Sequence, residues 1–137
     1  MHFAVSPGQS YPLGVTVHPD GVNFSIFSQH AEKIELLLFA APNNPQPSQI
    51  ITLTPKGHRT YYYWHAFVRG AQTGQVYAYR AYGPNIPERG LRFDPSKVLL
   101  DPYAKAIVGY SIYERQAAIE PGIDNCAKAL RGIVVDT

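Results

Sequence analysis

Ten carboxylates, five histidines, a single cysteine and a row of four large aromatics are the chemically useful residues of this 137-residue chain. Hydrolysis of a glycosidic bond takes two carboxyl groups about 5–10 Å apart on either side of that bond. Here the stretch between Glu35 and Glu88, which carries most of the strand signals, holds no carboxylate. No Gly-x-Ser-x-Gly nucleophile turn occurs, and Cys126 falls in the least regular part of the chain. His2, His18, His30, His58 and His65 show no paired metal spacing, and His65, set in an aromatic strand, reads as a packed side chain. A glycine-rich phosphate loop is missing as well. The residues predict no catalytic group, no metal and no cofactor.

Binding chemistry is better represented. Sugar rings present flat C–H faces that stack on aromatic planes, so Tyr61, Tyr62, Tyr63 and Trp64 are candidates for carbohydrate contact. On a strand, two of these four must face away from the core. The outward pair then serves either as a glycan platform or as packing beneath a neighbouring domain. Farther on, residues 83–106 are irregular and ionic. From them Arg89, Arg92, Phe93, Lys97, Asp101 and Tyr103 are candidates for docking, the arginines on carboxylates and Phe93 in a pocket. The alternative is that they brace the module's own underside.

These residues have to be positioned by short strands. Val22, Phe24 and Ile26 alternate over 22–28, and Ile34, Leu36 and Leu38 over 33–39, where Leu37 and Phe39 make the second face apolar and predict cover on both sides. The prolines Pro42, Pro45 and Pro47 make 41–48 an exposed loop. Further strands are predicted at 49–54, 61–68 and 76–82, with a turn at Lys56-Gly57-His58. Beyond Gly83-Pro84 the pattern weakens. A brief helical turn is expected at Tyr103–Ile107, Pro121-Gly122 breaks the next stretch, and Ile133-Val134-Val135 reads as a last strand. The expected architecture is all-β, an immunoglobulin-like antiparallel sandwich over residues 1–107 with an irregular C-terminal extension, 108–137.

Composition sets the outer limits. Lys+Arg 12 against Asp+Glu 10 gives +2, too balanced for the basic surface that nucleic acid or an anionic membrane would demand. Hydrophobic residues at 45% argue against disorder, and the longest apolar run, Leu36–Ala41, is far short of a membrane span. A lone cysteine and the lack of a signal-like N-terminus fit a cytoplasmic setting.

Tyr11-Pro12-Leu13-Gly14, the run Gly21 to Ser28, Lys33 to Phe39, Trp64-His65, Gly74 to Arg80 and Gly83-Pro84 occur in order. They precede the specific run Arg92-Phe93-Asp94-Pro95-Ser96-Lys97-Val98-Leu99-Leu100-Asp101-Pro102-Tyr103-Ala104-Lys105. Over residues 8–137 the chain resembles the N-terminal part of bacterial glycogen debranching enzymes and isoamylases. The resemblance implies a glycogen-binding-type β-sandwich ahead of a catalytic (β/α)₈ barrel that hydrolyses α-1,6 branches. A barrel needs about 250 residues, so it lies outside this chain, with 133–137 at the handover. The implied partners are that barrel and an α-glucan. A third reading, an immunoglobulin-like protein-interaction domain, is permitted by composition alone. Free-standing glycogen-binding modules resemble one another in using two tryptophans, whereas Trp64 stands alone here.

Overall fold

The computed structural model describes residues 3–89, 91–94, 96–109 and 124–135. Alternating apolar residues produce two antiparallel sheets. In the first, β1 (Ala4–Ser6), β7 (Tyr63–Arg69), β3 (Gly21–Phe27) and β2 (Gly14–His18) lie side by side, and β6 (Arg59–Thr60) also pairs with β7. The second sheet has the order β11 (Ile107–Val108), β12 (Arg131–Ile133), β8 (Val76–Tyr82), β4 (Lys33–Phe39) and β5 (Gln49–Leu53). A separate hairpin joins β9 (Asn85–Ile86) to β10 (Leu91–Arg92).

The period of two explains which side chains meet. Val22, Phe24, Ile26, Trp64, Ala66 and Val68 from the first sheet pack on Ile34, Leu36, Leu38, Leu53, Tyr77 and Tyr79 from the second. The opposite face of the second sheet is apolar too. Leu37, Phe39, Val76 and Ala78 are covered by Val98, Cys126 and Ala129 from the returning chain, as the doubly apolar strand at 33–39 predicts. The outer face of the first sheet is only partly wet. Residues 7–10 run across it, and buried Asn23 and Ser25 bond their backbone: Gln9 N–H donates to Asn23 Oδ1 at 2.8 Å, and Ser25 Oγ to Ser10 O at 2.7 Å.

Some expectations shift. The predicted turn at 56–58 is a single helical turn, α1 (Pro55–His58), begun by a proline where the helix has no N–H to lose. No helix forms at 103–107. Instead Ile107–Val108 is a strand, because Ile133 N–H reaches Ala106 O at 3.1 Å and draws this stretch beside β12. The last strand begins two residues earlier than predicted, at Arg131, because Gly132 sits against the Tyr77 ring. A Cβ there would meet Tyr77 Cζ at 2.8 Å. Since β11 and β12 join the same sheet as β8, residues 131–133 are part of the sandwich. The predicted breaker at Pro121-Gly122 lies outside the described residues.

Arg131 ties the outer layer together. Its fully buried guanidinium donates from Nη1 to Pro42 O at 2.8 Å and from Nη2 to Cys126 O at 2.7 Å, and it stands 3.7 Å from the Phe39 ring centroid. Burial lowers its pKa from the ordinary arginine value. Arg131→Ala would strand two carbonyls and empty the space over Phe39. It should cost about 2–4 kcal/mol in urea denaturation. Arg131→Lys should recover part of that loss, since an ammonium keeps the charge without the two-pronged fork.

Candidate functional site

Two surfaces gather the residues singled out by type. The first is the end of the first sheet, where Phe27 on β3 sits opposite Tyr63 on β7. Tyr61 and Tyr62 form the turn that enters β7, with Tyr61 at φ 58°, a conformation uncommon for a bulky side chain. The rings cluster: Tyr61 lies 4.3 Å from Tyr62, and Phe27 lies 5.4 Å from Tyr63 between centroids. Tyr61 is 71% exposed and Phe27 45%.

Trp64 does not join them. It is fully buried between the sheets, and its indole N–H donates to Ser28 O at 3.0 Å. As a carbohydrate-stacking candidate it is corrected by its own register: β7 turns Trp64, Ala66 and Val68 inward, leaving the indole no open face. Because the strand starts at Tyr63, all three tyrosines of the row lie outside the inter-sheet core. Phe27 belongs with them. Its signal was its place one residue past inward-facing Ile26.

The second surface is built by the ionic run. Leu99 exchanges backbone hydrogen bonds with Tyr79, so this segment extends the second sheet alongside β8. That pulls several docking candidates inward. Asp101 is 2% exposed; its Oδ2 accepts from the Tyr77 hydroxyl at 2.7 Å and its Oδ1 from Tyr103 N–H at 2.9 Å. Lys97 is buried, and Phe93 is half-buried against the core. These three side chains are thus packed into the module. Arg89 and Tyr103 stay exposed, and the Arg92 side chain lies outside the described residues.

Between the sheets the segment leaves a groove of about 570 Å³, lined by Ile26, Phe27, Ile34, Phe93, Leu99 and Leu100 among others. The nearby carboxylates are engaged. Asp94 Oδ1 accepts from the hydroxyl and N–H of Ser96, at 2.6 and 3.0 Å. Burial, reinforced by Asp101, pushes the Tyr77 phenol far above its ordinary value, and Tyr79 rises for the same reasons. Asp101 is itself raised by burial, against the opposing hydrogen bonds from Tyr103 and Tyr77. The geometry offers aromatic planes and an apolar groove, surfaces suited to binding.

Two stacked antiparallel sheets with an exposed aromatic cluster at one end define an all-β sandwich domain. The chain belongs to the carbohydrate-binding module 48 family, the isoamylase N-terminal domain, whose model matches residues 12–104. It is 41% identical over 105 residues to a glycogen debranching enzyme of Serratia proteamaculans, covering 77% of this chain and 15% of that protein. A glycogen operon protein GlgX homolog of Mycobacterium bovis is 43% identical over 105 residues, with 77% and 14% covered. The chain thus spans about one seventh of the length of these relatives. Among solved structures, the catalytic module of the pneumococcal glycogen-degrading virulence factor SpuA superposes with TM-score 0.63 at 19% identity, over 96% of this chain and 17% of that one. A pullulanase from Bacillus acidopullulyticus gives TM-score 0.60 at 19% identity, over 91% and 12%. These two likenesses carry the fold alone. Among the described residues no helix is long and apolar enough to cross a membrane.

Asp101 makes the site sensitive to pH. Its folded pKa lies above the ordinary aspartate value of about 3.9. Between those two values the folded chain keeps a proton that the unfolded chain has lost, so stability falls as pH rises through that window. Urea midpoints measured upward from about pH 4 should therefore drop for the wild type relative to Asp101→Asn, which removes the titration. A wild-type-to-variant difference independent of pH would contradict the raised pKa.

Proposed function

We propose that this domain is a non-catalytic module of a larger α-glucan debranching hydrolase. In this reading it docks on a (β/α)₈ barrel that cleaves α-1,6 branches, and it shapes one side of that barrel's cleft. The observation that carries the reading is the 41% identity to a glycogen debranching enzyme and 43% to a glycogen operon protein, of which the chain covers 15% and 14%. The groove supports it, since Leu99, which lines it, is 42% exposed and Tyr103, farther along the same segment, is 45% exposed. Arg89 and Tyr103 are the docking contacts; Phe93, Lys97 and Asp101 act indirectly by holding the rim in shape, and Arg92 stays a docking candidate. Glycogen-handling relatives and a buried free cysteine support a cytoplasmic setting.

A second reading is favoured by one observation, the exposed cluster of Phe27, Tyr61, Tyr62 and Tyr63. Four rings within 4.3–6.4 Å of a neighbour form a surface on which an α-glucan chain can stack.

The readings separate experimentally. In the isolated domain Tyr103→Ala, a partly exposed change, should shift stability by no more than about 0.5 kcal/mol. In a chain joining the module to its barrel, the same change should lower the melting temperature or split one transition into two. An unchanged melt of the joined chain would count against docking. Co-sedimentation with glycogen tests the second reading: binding by the wild type that is lost in Tyr61→Ala/Tyr62→Ala supports it, and equal, negligible pull-down removes it. Incubation of the domain with a branched dextrin should release no reducing ends.

A further inference from the structure

The far end of the first sheet holds a feature that neither reading uses. The β2–β3 hairpin closes through His18-Pro19-Asp20-Gly21, with His18 opposite Gly21. Beside it Phe67, partly buried on the outer face of β7, lays its ring over Gly21. A Cβ on Gly21 would meet Phe67 Cζ at 2.8 Å and Val68 O at 2.4 Å, so only glycine permits this seat. The ring floors a cup of about 350 Å³, walled on one side by Ser6 and Gln9 and on the other by His18 and Asp20. The His18 ring stands edge-on to Phe67 at 5.8 Å. Arg69 lies 5.6 Å from the Phe67 centroid and is paired with Asp20 at 3.0 Å.

The walls are fixed in place. Buried Asn23 holds the Gln9 backbone from both sides, accepting its N–H at 2.8 Å and donating to its carbonyl at 3.0 Å. The functional ends of the cup are uncommitted: the Ser6 hydroxyl, the Gln9 side-chain amide and the His18 ring nitrogens have no hydrogen bond to another described residue. An apolar plane ringed by free donors and acceptors in a preformed hollow is how a pyranose is recognised, with C–H faces on the ring and hydroxyls on the collar. A hollow of about 350 Å³ has room for one hexose ring. An anion is disfavoured because Asp20 already neutralises Arg69.

We propose that this cup is a separate saccharide subsite, taking one glucosyl ring of an α-glucan on Phe67. It goes beyond the docking reading and stands whether or not the domain docks. It is also distinct from the Tyr61 cluster. Tyr63 and Phe67 are four residues apart on the same face of β7, about 13 Å along the strand.

The test is a titration of the ¹⁵N-labelled domain with maltotriose, followed by amide shifts. Saturable shifts at Ser6, Gln9, His18 and Asp20 are expected. Phe67→Ala should weaken them about tenfold or more, a factor within reach of one lost contact, with the melting transition retained. His18→Ala, an exposed change, gives the same readout should Phe67→Ala fold poorly. Tyr61→Ala should leave these shifts intact. Shifts confined to Tyr61, Tyr62 and Phe27, no saturable shift, or the same amides moving with inorganic phosphate and not with maltotriose would each overturn the proposal. Tyr103→Ala in the joined chain reads the docking interface alone, so failure of one reading is distinguishable from failure of the other.

Discussion

A β-sheet whose strands are apolar on both faces cannot leave either one in water, and the rest of this structure follows from that constraint on β4 and β8. Leu36 and Leu38 face the first sheet while Leu37 and Phe39 face away from it, and all four are buried. Burying a side chain of this size is worth about 1.5–3 kcal/mol. A bare outer face would forfeit several such contributions. The chain meets the demand with its own later segments, which return across the sheet and end as β12 against β8. Arg131 is the fastening of that cover. It satisfies two carbonyls that would otherwise be stranded and lays its charge on Phe39, so both the proline-rich loop and the turn at Cys126 answer to one side chain.

The same constraint sorts the ionic run into residues that serve the module and residues left for others. Once Leu99 pairs with Tyr79, alternation dictates that Val98 turns to the outer layer while Leu99 is left partly in solvent. Asp101 is drawn under the sandwich, where the Tyr77 hydroxyl and the Tyr103 amide hold it. Such a buried, hydrogen-bonded polar pair sets geometry more than it adds stability, because desolvation offsets most of the attraction. What the pair contributes is shape: it anchors the segment on which Leu99 and Tyr103 are partly exposed.

How much of this could be read from residue order depends on the range of the forces involved. The strands at 33–39 and 76–82 were legible because alternation is a local property, and the three prolines of 41–48 marked the loop for the same reason. Trp64 is a platform candidate by residue type alone; its inward face is set by pairing with Ile26 on β3, a contact across 38 residues that type does not reveal. Asp101 could not be sorted into bracing or docking from its neighbours, because the group that claims it is Tyr77, 24 residues away. The Phe67 cup was invisible for a related reason. Its floor, collar and walls come from the N-terminal segment, the β2–β3 hairpin and β7, and each contributor alone looks like ordinary surface. Short strands such as β1 and β6 were missed because two or three residues carry no period at all.

The two carboxylates with displaced pKa values, Asp101 and Asp124, do not form an acid–base pair. An acid–base pair is recognised where two environments push neighbouring carboxyl groups in opposite directions. Asp101 and Asp124 satisfy half of that description. Burial raises Asp101, whereas burial at Asp124 is outweighed by the Arg80 guanidinium and the Cys126 amide, which hold its carboxyl below the ordinary value. Yet Tyr77, which holds Asp101, and Arg80, which holds Asp124, point to opposite faces of β8. A sheet stands between them, so no substrate bond can be flanked by both. The divergence reflects two separate structural anchorages, one beneath the sandwich and one on its cover. On the proposed reading, an acid pair would have to be brought by another domain, and the exposed side chains of Leu99 and Tyr103 are the footing proposed for it.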